Sequence, residues 1–373
     1  MLDPTHAAQR HSRDRRIPVT LLTGFLGSGK TTLLNALVAQ PSMANALVLI
    51  NEFGEIGLDH KLFAASSDGE QIELTNGCIC CTIRTDLART LREAVWRFSR
   101  QGQRQFDRLV IETTGLADPA PIVHTLMTAP RVARHYRLDG IVTTLACPDA
   151  EATLERFDQA LRQAAMADLL LLTQPDLADA AQKAALHRRL ARLNPGAERL
   201  ETHHGGIDAQ RLYQLSSRLS NTHALGSARL TALPEGGRRA FSLTSPSASF
   251  SSAPFSNEPF SNEPFSSGHD ERIRAHGFTF EQPVRIEDFN TWCEQIAEWL
   301  GPDMLRLKGI LNVKGQTHPV AVHGVQHLFH PPVPLAAWPD ENRRSRLVFI
   351  TLGVDRAALA ASLEGLLGGR ERL

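Results

Sequence analysis

Residues 17–38 read IPVTLLTGFLGSGKTTLLNALV, and the order of textures in that stretch decides the fold. Ile17 to Leu22 is a short apolar, β-branched run of the kind that makes a buried strand, and Thr31 to Val38 has helical character. Between them Gly24-Phe25-Leu26-Gly27-Ser28-Gly29-Lys30-Thr31 satisfies the whole GxxxxGK[ST] pattern in its required strand-loop-helix setting. Gly24, Gly27 and Gly29 let the backbone curl, so that its N–H groups and the helix start, including those at Ser28 and Thr32, face phosphate oxygens. Lys30 is placed to reach β- and γ-phosphates, and the Thr31 hydroxyl to ligate Mg²⁺.

The pattern continues outward from that strand. Short apolar runs at Ala46 to Ile50, Gln71 to Leu74, Arg108 to Ile111, Leu138 to Thr143 and Leu169 to Leu172 alternate with helical stretches at Asp86 to Arg100, Ala120 to Met127, Ala150 to Ala165 and Ala178 to Leu193. Such alternation predicts an α/β domain over residues 17–225, a mostly parallel sheet with helices on both faces and ligands at the carboxyl ends of its strands. Residues 1–16 form a polar N-terminal tail that lacks the apolar core of a secretory signal. Over 226–270 the texture turns to Ser, Pro, Phe, Asn and Glu, and Pro254-Phe255-Ser256-Asn257-Glu258 recurs at Pro259 to Glu263. So short a repeat cannot bury a core, and the stretch is expected to be a flexible linker. Globular texture returns at 271–373, where a strand at Gly277 to Phe280, a helix at Ile286 to Leu300, strands at Leu305 to Val313, Pro319 to Phe329 and Arg346 to Leu352, and a helix at Arg356 to Leu367 predict a small α+β domain.

Composition sets bounds. Forty basic side chains balance forty acidic ones in 373 residues, which gives no global electrostatic reason to expect nucleic acid or an anionic membrane as partner. No apolar run reaches the length of a membrane span. Five cysteines, three of them clustered, are no disulfide framework, and a reducing cytoplasm is the expected location.

Further chemistry falls at strand ends. Val110-Ile111-Glu112-Thr113-Thr114-Gly115 finishes a hydrophobic strand with an acid that can hold Mg²⁺ through water and polarise an attacking water; the Gly115 N–H can meet a γ-phosphate. Asn51 to Asp59 supplies Glu52, Glu55 and Asp59 with Gly54 and Gly57, either a mobile, metal-capable switch loop or a solvated turn. Cys78-Ile79-Cys80-Cys81 lacks the second knuckle of a closed structural zinc site, and its soft sulfur favours Zn²⁺, Cu(I), Co²⁺ or Fe²⁺ over Mg²⁺. Convergence of the three thiols needs a turn after Gly77, or else Glu52 or Glu55 completes the set; redox chemistry and inert packing are the alternatives. Thr173-Gln174-Pro175-Asp176 lies where a guanine-reading loop belongs, with Asp176 able to accept from N1 and N2 of the base. His318, His323, His327 and His330 cluster late in the chain, with His323 and His327 expected on one strand face; they and His203-His204 are either metal ligands or ordinary surface or core histidines. Cys147 and Cys293 read as packing groups.

Taken together, TGFLGSGKTTLLN, NEFGEIGLD, ELTNGCICCTIRTDL and ETTGLADP resemble the CobW family of P-loop GTPases, and LRLKGILNV, HGVQHLFHPP and RLVFITLG are similar to that family's C-terminal domain. The resemblance implies a P-loop NTPase fold and slow GTP hydrolysis coupled to delivery of a transition metal, zinc first and cobalt next, to a client apo-metalloprotein or metal-cofactor pathway protein. It carries the phosphate and Mg²⁺ roles to Lys30 and Thr31, hydrolysis to Glu112 and Gly115 with Glu52 beside them, metal binding to Cys78, Cys80 and Cys81, and base reading to Thr173 and Asp176. Nucleic acid and membrane are not implied as partners, and homo-oligomerisation is left open. The chain departs from the family at Gln174, where a lysine is usual. A nucleotide-binding metal sensor or buffer in which the nucleotide is only structural, and an ATP-dependent kinase or adaptor, are the competing readings.

Overall fold

The computed structural model describes residues 15–50, 72–73, 82–213, 215 and 272–367. The loop at 51–59 with Glu52 and Glu55, the cysteines Cys78, Cys80 and Cys81, and the 226–270 stretch lie outside the described residues. So does the expected tail, apart from Arg15 and Arg16. The chain divides into two compact units.

In the first unit, apart from a two-stranded hairpin of Ser99–Arg100 with Gln103–Arg104, the described strands form one seven-stranded sheet. They are β1 (Ile17–Gly24), β2 (Ala46–Ile50), β3 (Ile72–Glu73), β4 (Arg108–Glu112), β5 (Tyr136–Ala146), β6 (Leu169–Thr173) and β7 (Glu198–Thr202). Their order is β3-β2-β4-β1-β5-β6-β7, every pairing is parallel, and the chain reverses direction across the sheet at β1. Ligands of such sheets sit at that reversal, beyond the carboxyl ends of the strands. The connecting helices are α1 (Lys30–Val38), α2 (Thr82–Arg97), α3 (Ala120–Thr128), α4 (Ala150–Arg156), α5 (Asp158–Met166) and α6 (Ala180–Leu193). Leu33, Leu34 and Leu37 of α1 bury against Leu22, Val48, Val110 and Val142 of the sheet, each fully buried aliphatic side chain contributing about 1.5–3 kcal/mol. Helix α6 opens with a reciprocal capping box between Asp179 and Gln182.

The predicted strands are found with ends shifted by up to four residues, the largest at Ile273–Phe280, and three features differ. The single helix expected over Ala150 to Ala165 is two, α4 and α5, because Phe157 adopts φ −126° and ψ 111°. Its ring stacks on Phe25 of the glycine loop, centroids 4.4 Å apart, a tertiary contact that outweighs a continuous helical pattern. Strand β7 was not anticipated: Glu198-Arg199-Leu200-Glu201-Thr202 is a charged edge strand with little apolar signal. In the second unit the single strand expected over Pro319 to Phe329 is a hairpin, turning at Gln326 with φ +51°.

That second unit is β8 (Ile273–Phe280), α7 (Ile286–Leu300), β9 (Met304–Leu311), β10 (Val320–Val325), β11 (Leu328–Phe329), β12 (Val333–Pro334), β13 (Ser345–Leu352) and α8 (Arg356–Leu367). Its sheet runs β8-β13-β9-β10-β11, with β12 also on β10 and β9 antiparallel to both neighbours. Trp292 and Phe289 of α7 and Leu359 and Leu363 of α8 pack on Leu307, Leu347 and Phe349, so this is an α+β domain with its helices against the sheet. His323 is buried in β10 while His327 lies in the turn beyond it. The ring that meets His323 is therefore His330, centroids 6.4 Å apart, rather than His327. Among the described residues no group of three or more His, Cys, Asp or Glu is placed to hold a metal. No described helix is long and apolar enough to cross a membrane.

One buried amide ties the end of helix α5 to the C-cap of α6. Asn194 Nδ2 donates to the carbonyls of Ala164, Ala165 and Ala167 at 2.9, 3.0 and 2.9 Å, closing the otherwise open end of α5. Asn194→Leu removes that donor from three buried carbonyls, of which Ala164's keeps the Ala167 N–H at 3.4 Å, and urea titration is expected to show a loss of about 2–3 kcal/mol. A change below about 0.5 kcal/mol would place the amide among surface-like positions instead.

Candidate nucleotide site

The site begins where β1 stops. At Gly24 φ is +141°, and a Cβ there would lie 2.3 Å from Thr144 Oγ1 and 2.5 Å from the Thr144 carbonyl, so no larger residue fits. The loop turns through Gly27, at φ +73°, and reaches α1 through Gly29, at φ +86°. Ser28 holds the curl: its hydroxyl donates to the Phe25 carbonyl at 2.7 Å and pairs with the Thr144 hydroxyl at 2.7 Å. The Thr173 hydroxyl, at the end of β6, donates to the Ser28 carbonyl at 2.9 Å. The helix start thus opens at the carboxyl edge of the sheet, where its dipole and free N–H groups favour an anion.

Lys30 folds back over the loop, its Nζ donating to the carbonyls of Gly24 at 2.8 Å and Phe25 at 3.0 Å. The ammonium is thereby held above the loop's concave side. Thr31 Oγ1 lies 3.4 Å from Glu112 Oε1, and Glu112 is buried at the end of β4. A hydroxyl and a carboxylate converging at a phosphate cradle are hard oxygen donors, the set that suits Mg²⁺. Thr32 is exposed, and its carbonyl lies 2.9 Å from where a Gly205 Cβ would be.

Beyond Glu112 the chain stays against the loop. Thr113 N–H donates to the Leu22 carbonyl at 2.9 Å and its hydroxyl to Thr23 Oγ1 at 2.9 Å. A Cβ at Gly115 would come within 2.6 Å of the Leu26 amide nitrogen and 2.9 Å of Leu26 Cα. The turn that carries Gly115 is therefore pressed on the phosphate loop's own backbone. Leu26 and Leu116 flank the opening, 59% and 46% exposed.

Thr173 spends its hydroxyl bracing Ser28 and, at 3.3 Å, the Leu145 carbonyl. Gln174 takes a left-handed conformation, φ +51°, and Asp176 stands half exposed in the following turn, 3.5 Å from His203 Nδ1. Cys147 donates its N–H to the Thr173 carbonyl at 2.9 Å. Burial, with Glu201 nearby, pushes its thiol above the ordinary cysteine range, so it stays protonated packing. Burial likewise raises the Cys293 thiol in the second unit.

Lys30, Thr31, Glu112 and Gly115, distant in sequence, are brought together with Gly24, Gly27, Ser28, Gly29 and Thr173. The cysteine cluster and Glu52 and Glu55 are outside the described residues, yet the elements that bracket them are anchored. Before the glutamates β2 ends at Ile50, and before the cysteines β3 pairs with β2 through Leu49 and Ile72; after the cysteines α2 starts at Thr82, buries Leu87, Leu91 and Ala94 and receives the Tyr136 hydroxyl at the Leu91 carbonyl, 2.8 Å away. The sequence reading missed Thr23, Thr144 and Phe157, and weighed His203 as a metal ligand or an ordinary histidine where it lies beside Asp176. Thr23 and Thr144 carried a signal, polar side chains inside otherwise apolar buried strands.

The model for "CobW/HypB/UreG, nucleotide-binding domain" matches residues 18–201, and that for "Cobalamin synthesis protein cobW C-terminal domain" matches 273–367. The chain is 32% identical over 351 residues to the zinc chaperone YjiA of Escherichia coli, covering 94% of this chain and 98% of that one. It is 34% identical over 198 residues to zinc-regulated GTPase metalloprotein activator 1 of Schizosaccharomyces pombe, 52% of this chain and 47% of the relative. The crystal structure of Zn(II)-bound YjiA GTPase from E. coli superposes with TM-score 0.61 at 29% identity, covering 94% of this chain and 99% of the other.

The contact between Gly115 and Leu26 yields a direct expectation. Gly115→Ala must displace backbone as well as the Leu26 side chain, and misplacement at a reacting centre is costly. Single-turnover nucleoside triphosphate hydrolysis should fall by about tenfold or more while GDP binding changes little. An unaltered rate would mean that the turn does not need this close approach.

Proposed function

This chain belongs to the CobW/HypB/UreG family, and from that premise we propose that it is a GTP-hydrolysing metallochaperone. It binds zinc at Cys78, Cys80 and Cys81 and passes the ion to a client apo-metalloprotein, or to a protein of a metal-cofactor pathway, in step with its nucleotide cycle. The observation that carries the reading is the convergence of Thr31 and Glu112 at 3.4 Å beside a phosphate loop against which the Gly115 turn is packed. The names of the relatives, zinc chaperone and zinc-regulated GTPase, support the cargo.

The N–H groups from Gly24 to Thr32 cradle the phosphates, and Lys30 leaves the Gly24 and Phe25 carbonyls to neutralise the β- and γ-phosphates. Thr31 and Glu112 would hold Mg²⁺, which would supply neutralising charge to the phosphates when bound. Glu112, with Glu52, orients the water that attacks the γ-phosphorus; the bond to the bridging oxygen breaks, and GDP and inorganic phosphate are the products. Gly115 reads whether the γ-phosphate is present. Asp176 accepts from the guanine N1 and N2 donors with Thr173 beneath the loop; His203 must yield the carboxylate to the base.

Cys78 to Cys81 lie in the chain between the Asn51 to Asp59 loop and Glu112, so both nucleotide-sensing segments flank them in sequence. Thiolate softness favours zinc, with cobalt next, and keeps this cargo apart from the oxygen site for Mg²⁺. Clustered thiols of this kind work in a reducing cytoplasm.

Zinc affinity, measured by competition with a chromophoric chelator, is expected to be roughly 5- to 150-fold tighter with a non-hydrolysable GTP analogue than with GDP. Cys80→Ala with Cys81→Ala should abolish that difference and leave GTP hydrolysis intact. Equal affinities in the two nucleotide states would contradict coupled delivery and leave a nucleotide-binding zinc buffer.

A further inference from the structure

Gln163, in the middle of α5, is completely buried. Its side-chain Nε2 donates both protons into one turn, to the Gly115 carbonyl at 3.0 Å and the Ala117 carbonyl at 2.9 Å. Its own carbonyl accepts from Thr143 Oγ1 at 2.8 Å, one residue before the Thr144 that pairs with Ser28. The same helix begins directly after Phe157, whose ring is stacked on Phe25 of the phosphate loop at an interplanar angle of 27°. Gly115 in turn abuts Leu26. Contacts therefore close a ring: phosphate loop, Phe157, α5, Gln163, the Gly115 turn, and the phosphate loop again.

Gln163 Oε1 is buried without a hydrogen-bond partner among the described residues. Burying an unpaired acceptor costs free energy, so the amide is held there for its donors. We propose that Gln163 is a positioning residue for recognition of the γ-phosphate, its amide fixing the Gly115 to Ala117 turn against the phosphate loop so that triphosphate and diphosphate are told apart. The proposal rests on GTP binding at this loop and is independent of metal delivery.

The test compares Gln163→Glu and Gln163→Met with the parent in affinity for GDP, affinity for a non-hydrolysable GTP analogue, and GTP turnover, from about pH 8 to about pH 5.5. Both variants should lose preference for the analogue over GDP by roughly tenfold, with GDP affinity kept. A buried carboxyl beside two carbonyls has a raised pKa and, once protonated, donates one hydrogen bond. Relative to the parent at each pH, Gln163→Glu should therefore regain preference as pH falls and Gln163→Met should not. Affinities for GDP and analogue that fall together, or identical pH profiles for the two variants, would overturn the proposal and leave a structural staple. Should both variants fail to fold, Phe157→Leu breaks the ring at a half-buried position: reduced analogue preference supports the proposal, and unchanged preference overturns it. The affinity ratio does not depend on turnover, so absence of hydrolysis in the parent would contradict the GTPase reading alone.

Discussion

The rest of the first unit depends on the crowding at the end of β1, where the chain must turn sharply and still leave its N–H groups open. Gly24 has no room for a methyl group against Thr144. Ser28 and Thr173 satisfy the loop's own polar groups from behind, and Lys30 covers its carbonyls. Buried polar groups that lack partners cost about 1–3 kcal/mol each, so these braces are what make a tightly curled loop stable without its ligand. Because Thr144 and Thr173 come from β5 and β6, the sheet order that sets β5 beside β1 and β6 beside β5 is part of the site.

That arrangement explains why the nucleotide-facing residues come from separate segments. Parallel strands β1 and β4 end side by side, with Leu22 opposite Glu112, which puts the acid within reach of Thr31 on the helix that follows β1. A one-residue shift of β4 would turn Glu112 to the other face of the sheet. The Gly115 turn follows three residues later and lies against Leu26 of the phosphate loop. In the proposed cycle the hard oxygen donors serve Mg²⁺ and the thiolates serve zinc, so one chain holds both ions without exchange between their sites.

Much of this was readable beforehand because the evidence was local. A phosphate loop is contiguous, its strand and helix flank it, and Glu112 to Gly115 sits at the end of an unmistakable apolar run. Other features depend on contacts that sequence spacing does not encode. The break at Phe157 exists because its ring meets Phe25, while Ala150 to Ala165 by itself reads as one helix. The turn at Gln326 lacks the glycine or asparagine that marks a left-handed position, so two strands read as one and His327 was paired with His323 in place of His330. Strand β7 carries charge on an edge, where an apolar pattern is not required. Gln163 could not be found at all from composition, since a glutamine inside a helix ordinarily faces water.

The central claim is that the turn from Thr113 to Asp118 is pressed against the phosphate loop so that it reads the γ-phosphate. Amide hydrogen exchange of that turn, compared between the protein with GDP and with a non-hydrolysable GTP analogue, tests it most directly. The account predicts slower exchange across Thr113 to Asp118 with the analogue, with the strands Ile17–Gly24 and Tyr136–Ala146 alike in both states. Equal exchange of the turn in the two states, with both nucleotides bound, would contradict it.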